Sequence, residues 1–439
     1  MRTRGQASGA RSEAEPSGAG RHAADRRNVP GPASGARSEA QPSGVGNDAR
    51  ERPVLGLGVA HFRRVWFRPT ESFLHNLVTG CRRTRPLLVG YERDAGDRYP
   101  VHCPWIALYP PGSLRARWLA ARTRWLGGDP HARWATPRLR IALRRHGTGV
   151  LHAHFGYTGH QILAVKAQTG LPLVTSFYGE DASALPNEPG WRERYAELFA
   201  RGDRFLVEGP VMRQRLVALG CKPEKIAIQP IAIPVARYPF RERRRRAGRP
   251  VRLLFCASLR EKKGLAYALE ALARVRADHA DLTLRVAGDG PERAATLAQL
   301  DRLGLRDAVE MLGAIPHEQF VKELEAADLF VQPSVTARDG DTEGGAPTTL
   351  LEAQACGLPI LSTFHADIPN VVGHGESGLL APERDADVLA SHLELLLEEP
   401  ERWPAMGRAG RARVQQFHDT PRQVGRLEDL YLALAGESE

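Results

Sequence analysis

The sequence predicts an α/β protein built of two Rossmann-like, doubly wound domains that face each other across a cleft. Three observations carry this reading. The chain has 439 residues, beyond the size at which one hydrophobic core keeps growing. Two successive series alternate strand-like and helix-like segments, the pattern of a parallel sheet covered by helices on both faces. Between them lies YPFRERRRRAGRP (238–250), a charge run bounded by prolines that reads as a linker.

Residues 1–52 precede the first series. They are rich in Gly, Ala, Ser, Pro and Arg, and ASGARSEAEPSGAG (7–20) recurs as ASGARSEAQPSGVG (33–46). So few large apolar residues do not offset the entropy of ordering, so this extension is expected to be disordered. The first domain, expected over 53–237, opens with VLGLGVAHF as a buried strand, and RPTESFLHNLV (68–78) starts a helix. PLLVGYE, GVLHAHFG, LPLVTSFYG and RFLVEG continue the strands. Helices fall between them, including a long basic one over 114–145 and another near 162–168. The second domain, expected over 251–415, begins with VRLLFCAS, a helix over 264–276 and LTLRVAG. EMLGAI, ADLFVQPS and LPILST follow, and the tail from 416 to 439 is helical. Ligands of such folds lie outside the carboxyl ends of the strands, here on both sides of the cleft.

Composition narrows the function classes. Hydrophobic residues make up 42%, enough for packed cores, and no run of 18 apolar residues offers a membrane span. The N-terminus has arginines but no apolar stretch of a secretory signal. Five cysteines without paired spacing suggest reduced thiols and no structural zinc. The overall net charge is +10, yet residues 251–439 hold 19 Lys and Arg against 31 Asp and Glu, leaving 42 against 20 for residues 1–250. A basic half beside an acidic half implies an anionic partner for the first.

Four segments carry candidate chemistry. In DTEGGAPTTLLEAQACG (341–357), Pro347 suits the first helical position and Gly357 a left-handed helix end. The free N–H groups near Thr348, Thr349 and Leu350 then favour a phosphate. Gly344 and Gly345 let a ligand approach the backbone, Glu352 suits a diol, and Glu343 stands on the loop ahead. Hydroxyls beside a diphosphate describe a nucleotide sugar; the alternative is a buried glutamate capping a neighbouring loop. In CASLREKKGLAYALEAL (256–272), Arg260, Lys262 and Lys263 put cations at a sheet edge, where they neutralise a diphosphate or form a solvated turn. HAHFGYTG (152–159) places His154 at a strand end, facing the cleft or packed in the core. VAGDGPE (286–292) is a strand followed by a glycine turn, a phosphate loop or a tight connection.

In order and spacing, KKG after a strand, AGDGP, ADLFVQPS and EGGAPTTLLEAQACGLPILST resemble the retaining glycosyltransferases of group 1 (family 4), which have the GT-B fold. FRPTESFLHN, HAHFG and FYGED are similar to the colanic-acid-type exopolysaccharide enzymes within that family. The resemblance covers about residues 53–420 and implies roles by position. Glu352 would bind the donor ribose, Glu343 the sugar, and the backbone after Gly344 and Gly345, with Thr348 and Thr349, the diphosphate. Lys263 and Arg260 would flank that diphosphate, with Gly288, Gly290 and Gly313 in the donor-binding loops. His154 would stand near the donor sugar, and Glu71, Ser72 and Asp181 would face the acceptor. The sequence departs from the family pattern in three places. Eight residues rather than seven separate Glu343 and Glu352, so Gly344 holds the strict first position. The family arginine falls on Ser258, with Arg260 displaced by two, and Tyr178 stands where many relatives have histidine.

The expected reaction is a metal-independent hexosyl transfer from a UDP- or GDP-sugar to a glycan or lipid-linked acceptor, with retention and no cofactor. DGD (339–341) is the alternative metal motif. Rival readings are a GT-B-like epimerase or phosphorylase, and a nucleic-acid-binding protein using RERRRR, which lacks interleaved aromatics. The enzyme is expected in the cytoplasm, at the inner face of the plasma membrane if RARWLAARTRWLGG (115–128) rests on anionic lipid.

Overall fold

The computed structural model describes residues 56–68, 71–93, 100–108 and 136–436. The repeated extension, the 115–128 segment and most of the basic stretch before residue 137 lie outside these.

Two parallel sheets form the frame. The first holds seven strands in the order Trp105–Ala107, Thr84–Gly90, Leu57–Phe62, Thr148–His154, Leu173–Ser176, Arg204–Val207 and Ile226–Ile228. The second holds six, in the order Val309–Gly313, Leu282–Ala287, Val251–Cys256, Leu329–Val331, Ile360–Thr363 and Gly378–Ala381. Every pairing in both sheets is parallel. The apolar run LFV, and LVTS and ILST with their hydroxyl residues, are buried along their whole length, as follows from helices on both faces. The short strands Gly378–Ala381 and Ile226–Ile228, with the two-residue pair Val65–Trp66 and Glu92–Arg93, are too brief to show a period in sequence.

Each sheet is packed on both sides. Phe255, Leu269, Val275 and Val286 lie in the core on one face of the second sheet, and Phe330, Leu351 and Val372 on the other. In the first sheet Phe62, Leu151 and Phe205 pack on one face and Val59, Val150 and Val174 on the other. The helix Thr420–Gly436 belongs to this last core, although it follows the second sheet in sequence. Its Leu427, Tyr431 and Leu434 pack on Val59 and Val150. Its Glu428 accepts hydrogen bonds from the backbone N–H groups of Arg82, Arg83 and Thr84 at 2.9, 2.7 and 2.8 Å.

The connector 238–250 is largely exposed, but two of its arginines are anchored on the second domain. Arg243 is buried and donates to the carbonyls of Leu324 and Cys356, while Arg245 donates to Leu397 O and pairs with Asp281. Buried carbonyls at helix ends need donors, and these arginines supply them. No helix among the described residues is long and apolar enough to cross a membrane.

Candidate active site

After the strand Leu329–Val331 the chain runs as a loop to the helix Thr348–Ala355. Pro347 occupies the N-cap rather than the first helical position, and Gly357 ends the segment at φ 82°. Ahead of the helix, the carboxylate of Glu343 is 4% exposed. Its Oε2 lies 2.5 Å from Lys263 Nζ, and its Oε1 accepts from Ser334 Oγ at 2.7 Å. Burial pushes this carboxyl up, but the charges of Lys263 and Lys262 and the hydrogen bonds from Lys263 and Ser334 outweigh it and hold it below the usual range. His365 Nε2 stands 3.2 Å from the Glu343 backbone nitrogen and is tied through Nδ1 to Glu383 at 2.6 Å.

Lys263 is placed by a tight turn, Glu261–Lys263, closed by Gly264 at φ 71°. A Cβ at Gly264 would stand 1.7 Å from Pro333 O, so only glycine lets this turn abut the loop that leads to Glu343. Lys262 pairs with Asp341 at 2.9 Å and donates to Thr342 O at 3.0 Å. Gly344 takes φ 77° and its Cβ would stand 2.2 Å from Gly179 Cα. The two halves of the chain nearly touch there. One turn into the helix, buried Glu352 accepts from Tyr238 Oη at 2.6 Å, and its Oε1 lies 3.0 Å from His317 Nε2. The hydrogen bond to Glu352 raises the His317 pKa against the opposing effect of burial.

The facing wall is built on the first sheet. Arg63, at the end of its strand, donates to Glu71 Oε1 at 2.6 Å and to Tyr157 Oη, with its guanidinium 3.8 Å from the centre of the Phe155 ring. Asp181 accepts the backbone N–H groups of Gly156, Tyr178 and Gly179 at 2.8, 3.0 and 3.0 Å. Burial nevertheless pushes its carboxyl up to about 6. Behind this wall His154 Nδ1 lies 2.8 Å from Tyr178 Oη and its Nε2 3.1 Å from His61 Nδ1. Burial, then His152, His61 and Arg63, drive the His154 pKa well below its usual value, so the ring is neutral.

Between the walls lies a cleft of about 600 Å³. Arg63, Arg64, Arg68, Glu71, Tyr178 and Asp181 reach it from one side, and Lys262, Lys263, Glu343 and Thr348 from the other. The halves are also joined directly. Asp367, from the second, accepts the free N–H groups of Val211 and Met212 at 2.9 and 3.2 Å, at the start of the helix Pro210–Ala218 in the first. Arg215 of that helix donates to Thr342 Oγ1.

The structure thus brings Glu343, Lys263, Thr348, Glu71 and Asp181 to one cleft. It corrects several other expectations. His154 does not face the cleft: it is fully buried, with both ring nitrogens engaged. Arg260 is exposed and outside the cleft lining, because it stands in extended backbone before the turn; Lys262 is the second cation in place. Ser72 is outside the lining, as are Gly288, Gly290 and Gly313. The first two of those glycines serve packing, since a Cβ would stand 1.8 Å from Ala257 O and 2.5 Å from Leu259 O respectively. Gly313 accepts the Gly288 N–H at 2.8 Å. Thr349 Oγ1 is turned to Gln332, and Gly345 presses on Glu208, whose Oε2 would lie 1.8 Å from an added Cβ. Glu352 lies outside the cleft lining, with half-exposed His317 beside it.

The sequence reading missed Arg63, Tyr157 and Glu208, which also line the cleft. The only available signal for Arg63 was a charged pair at the end of a buried strand. Among the described residues the one grouping with metal-like spacing is His61, His152 and His154, whose candidate ligand atoms lie within 4.8 Å of one another. Both nitrogens of His152 and both of His154 already bond within the protein. In the DGD stretch Asp341 is committed to Lys262.

Two doubly wound domains that face each other over a cleft lined by paired lysines and a loop-to-helix glutamate define the GT-B class of glycosyltransferase. The solved UDP complex of Anabaena HepE has the same fold, with a TM-score of 0.68 at 15% identity over 86% of this chain and 100% of that one. The family described as "Glycosyl transferases group 1" matches residues 238–413, and "Glycosyltransferase Family 4" matches 82–237. The putative colanic acid biosynthesis glycosyltransferase WcaL of Escherichia coli K12 is 32% identical over 402 residues, covering 81% of this chain and 94% of WcaL. The amylovoran biosynthesis glycosyltransferase AmsK of Erwinia amylovora is 35% identical over 243 residues, 55% of this chain and 59% of AmsK. The chain belongs to the group 1 (family 4) glycosyltransferases, and its homologues include enzymes of exopolysaccharide biosynthesis.

Proposed function

We propose that this glycosyltransferase moves a hexose from a UDP- or GDP-sugar to a glycan or lipid-linked acceptor, with retention of anomeric configuration. The observation that carries the reading is the Lys263–Glu343 pair at the cleft, within reach of the Thr348 helix start. Lys262, Lys263 and the free N–H groups of that helix supply positive charge where the leaving diphosphate gathers negative charge. Glu343 orients the sugar against Lys263, and Glu352, fixed by Tyr238 and His317, takes the ribose hydroxyls. No metal is required in this arrangement, because those cations fill its electrostatic role.

The acceptor enters along the opposite wall, beside Glu71 and Asp181. Its hydroxyl attacks the anomeric carbon as the bond to the diphosphate breaks, and the hydroxyl proton passes to the departing phosphate oxygen. Attack and departure on one face give retention without a protein nucleophile. His154 acts from behind, by fixing Tyr178. The enzyme then serves cell-surface polysaccharide synthesis, at the inner face of the plasma membrane.

The test is product analysis. Purified protein incubated with each donor and a panel of sugar acceptors should give a disaccharide whose anomeric proton coupling matches the donor. An inverted product would overturn the retaining mechanism. Conversion of donor without acceptor into an isomeric nucleotide sugar would favour an epimerase.

A further inference from the structure

We propose that the first-sheet wall of the cleft holds an anionic group of the acceptor, a phosphate or a carboxylate, on Arg63, Arg64 and Arg68. The proposal rests on the transferase reading and adds the chemical class of the acceptor.

Arg63 is 3% exposed yet lines the cleft. A buried guanidinium is costly unless paired, and this one is clamped by Glu71, Tyr157 and the face of Phe155. The clamp is incomplete. Arg63 Nε and Glu71 Oε2 are buried without hydrogen-bond partners. Two of the five guanidinium N–H donors are used, one on each terminal nitrogen, so the group keeps hydrogen-bonding capacity for an oxyanion. The platform beneath is itself strained. Phe155 adopts φ 74° and ψ 141°, a region a non-glycine residue rarely enters, and such outliers gather at functional sites.

The charges around Arg63 are not paired one to one. Arg64 and Arg68 line the same wall, are exposed, and have no side-chain ion pair among the described residues. The acids facing them are Glu71, Glu180 and Asp181. Glu71 belongs to Arg63, and Asp181 is turned to three backbone N–H groups. Glu180 forms no ion pair with any of the three arginines. Burial, then Asp367, Asp181 and Glu343, push the carboxyl of Glu208, at the seam, well above its ordinary value. On the opposite wall Lys262 and Lys263 are matched by Asp341 and Glu343. Unmatched cations over an aromatic floor suit a sugar that carries an anion.

The experiment measures binding to the full chain by calorimetry. The probes are glucose on a short prenyl diphosphate, digalacturonate and neutral maltose, with UDP and GDP as separate ligands. At least one anionic probe should bind tenfold or more tighter than maltose. The Arg64→Ala/Arg68→Ala double variant and Arg63→Lys should each lose about tenfold of that affinity, with nucleotide affinity unchanged. Preference for the prenyl diphosphate assigns a phosphate; preference for digalacturonate assigns a carboxylate. Replacing buried Arg63 risks the fold, so the exposed pair keeps the test decisive. The subsite is overturned if both anionic probes bind no tighter than maltose, or if the variants weaken the nucleotide as much as the anion. Failure of wild type to bind either nucleotide overturns the transferase reading itself, and the proposal with it.

Discussion

The two walls of the cleft differ in how their charged groups are assembled. On the second-sheet wall, Lys262, Lys263 and Glu343 come from two loops pressed together at Gly264 and Pro333. Their charges are matched and their backbone is fixed by close packing. On the first-sheet wall, Arg63, Glu71 and Tyr157 come from a strand end, a helix start and a separate helix. Their polar atoms are only partly paired. A matched wall is preorganised for one kind of ligand, whereas an unmatched one is completed by whatever it binds. The contrast fits a common donor diphosphate on one side and a particular acceptor on the other.

The largest effect that sharpens this contrast is expected from Glu343→Gln. It should lower kcat by on the order of 10²–10³ with little change in nucleotide affinity. Steady-state kinetics beside nucleotide binding separates the two; an equal loss in both would merge the roles of Glu343 and Glu352.

Next comes Asp181. Its carboxyl is raised from 3.8 to about 6 in the folded chain, so the native state holds a proton that the unfolded chain has released. Between these values stability from this group falls as pH rises, and above about 6 the full cost of burying the charge is present. A rise of that size corresponds to roughly 3 kcal/mol. Asp181→Asn should therefore destabilise more at pH 4.5 than at pH 7.5, as denaturant titrations would show. A difference of the opposite sign would contradict the burial of this carboxylate.

Glu352→Gln is expected to weaken nucleotide binding about tenfold, the loss of one charge-assisted hydrogen bond. Unchanged affinity would remove Glu352 from the donor site. The smallest effect is expected from Tyr431→Phe, which leaves His152 Nδ1 without its partner in the first-sheet core. A loss of about 1 kcal/mol in thermal or denaturant unfolding, with donor affinity intact, would show that the returning helix supports only the acceptor half.

The same contrast explains what was legible in the sequence. Both sheets could be read, because buried parallel strands are continuous apolar runs. Lys263 and Glu343 could be read because each sits in a contiguous glycine-marked stretch. Arg260 misled because a tight three-residue turn follows it: Lys262 and Lys263 lie in the turn, and Arg260 stays extended ahead of it. Glu352 was visible, but its partners Tyr238 and His317 were not, since they lie 114 and 35 residues away in the chain. Arg63 escaped notice for the same reason, its meaning being set by Tyr157, 94 residues on. For His154 the sequence left cleft and core both open, because a strand pattern gives a face but not its neighbours, here His61 and Tyr178. The tail likewise read as helical, but nothing in its sequence said on which sheet it packs.

The central claim is that the second domain holds a nucleotide-sugar donor through the lysine pair at the cleft and Glu352, which lies outside the lining beside half-exposed His317. The most direct test is thermal unfolding of the wild type and Glu352→Gln with UDP-, GDP- and ADP-sugars. A ligand that binds only the folded state stabilises it by about 2.7 kcal/mol at a hundredfold excess over Kd. At least one UDP- or GDP-sugar should raise the wild-type Tm in proportion to its concentration, and the rise should be smaller in Glu352→Gln at equal concentration. A wild type that no nucleotide sugar stabilises would contradict the account.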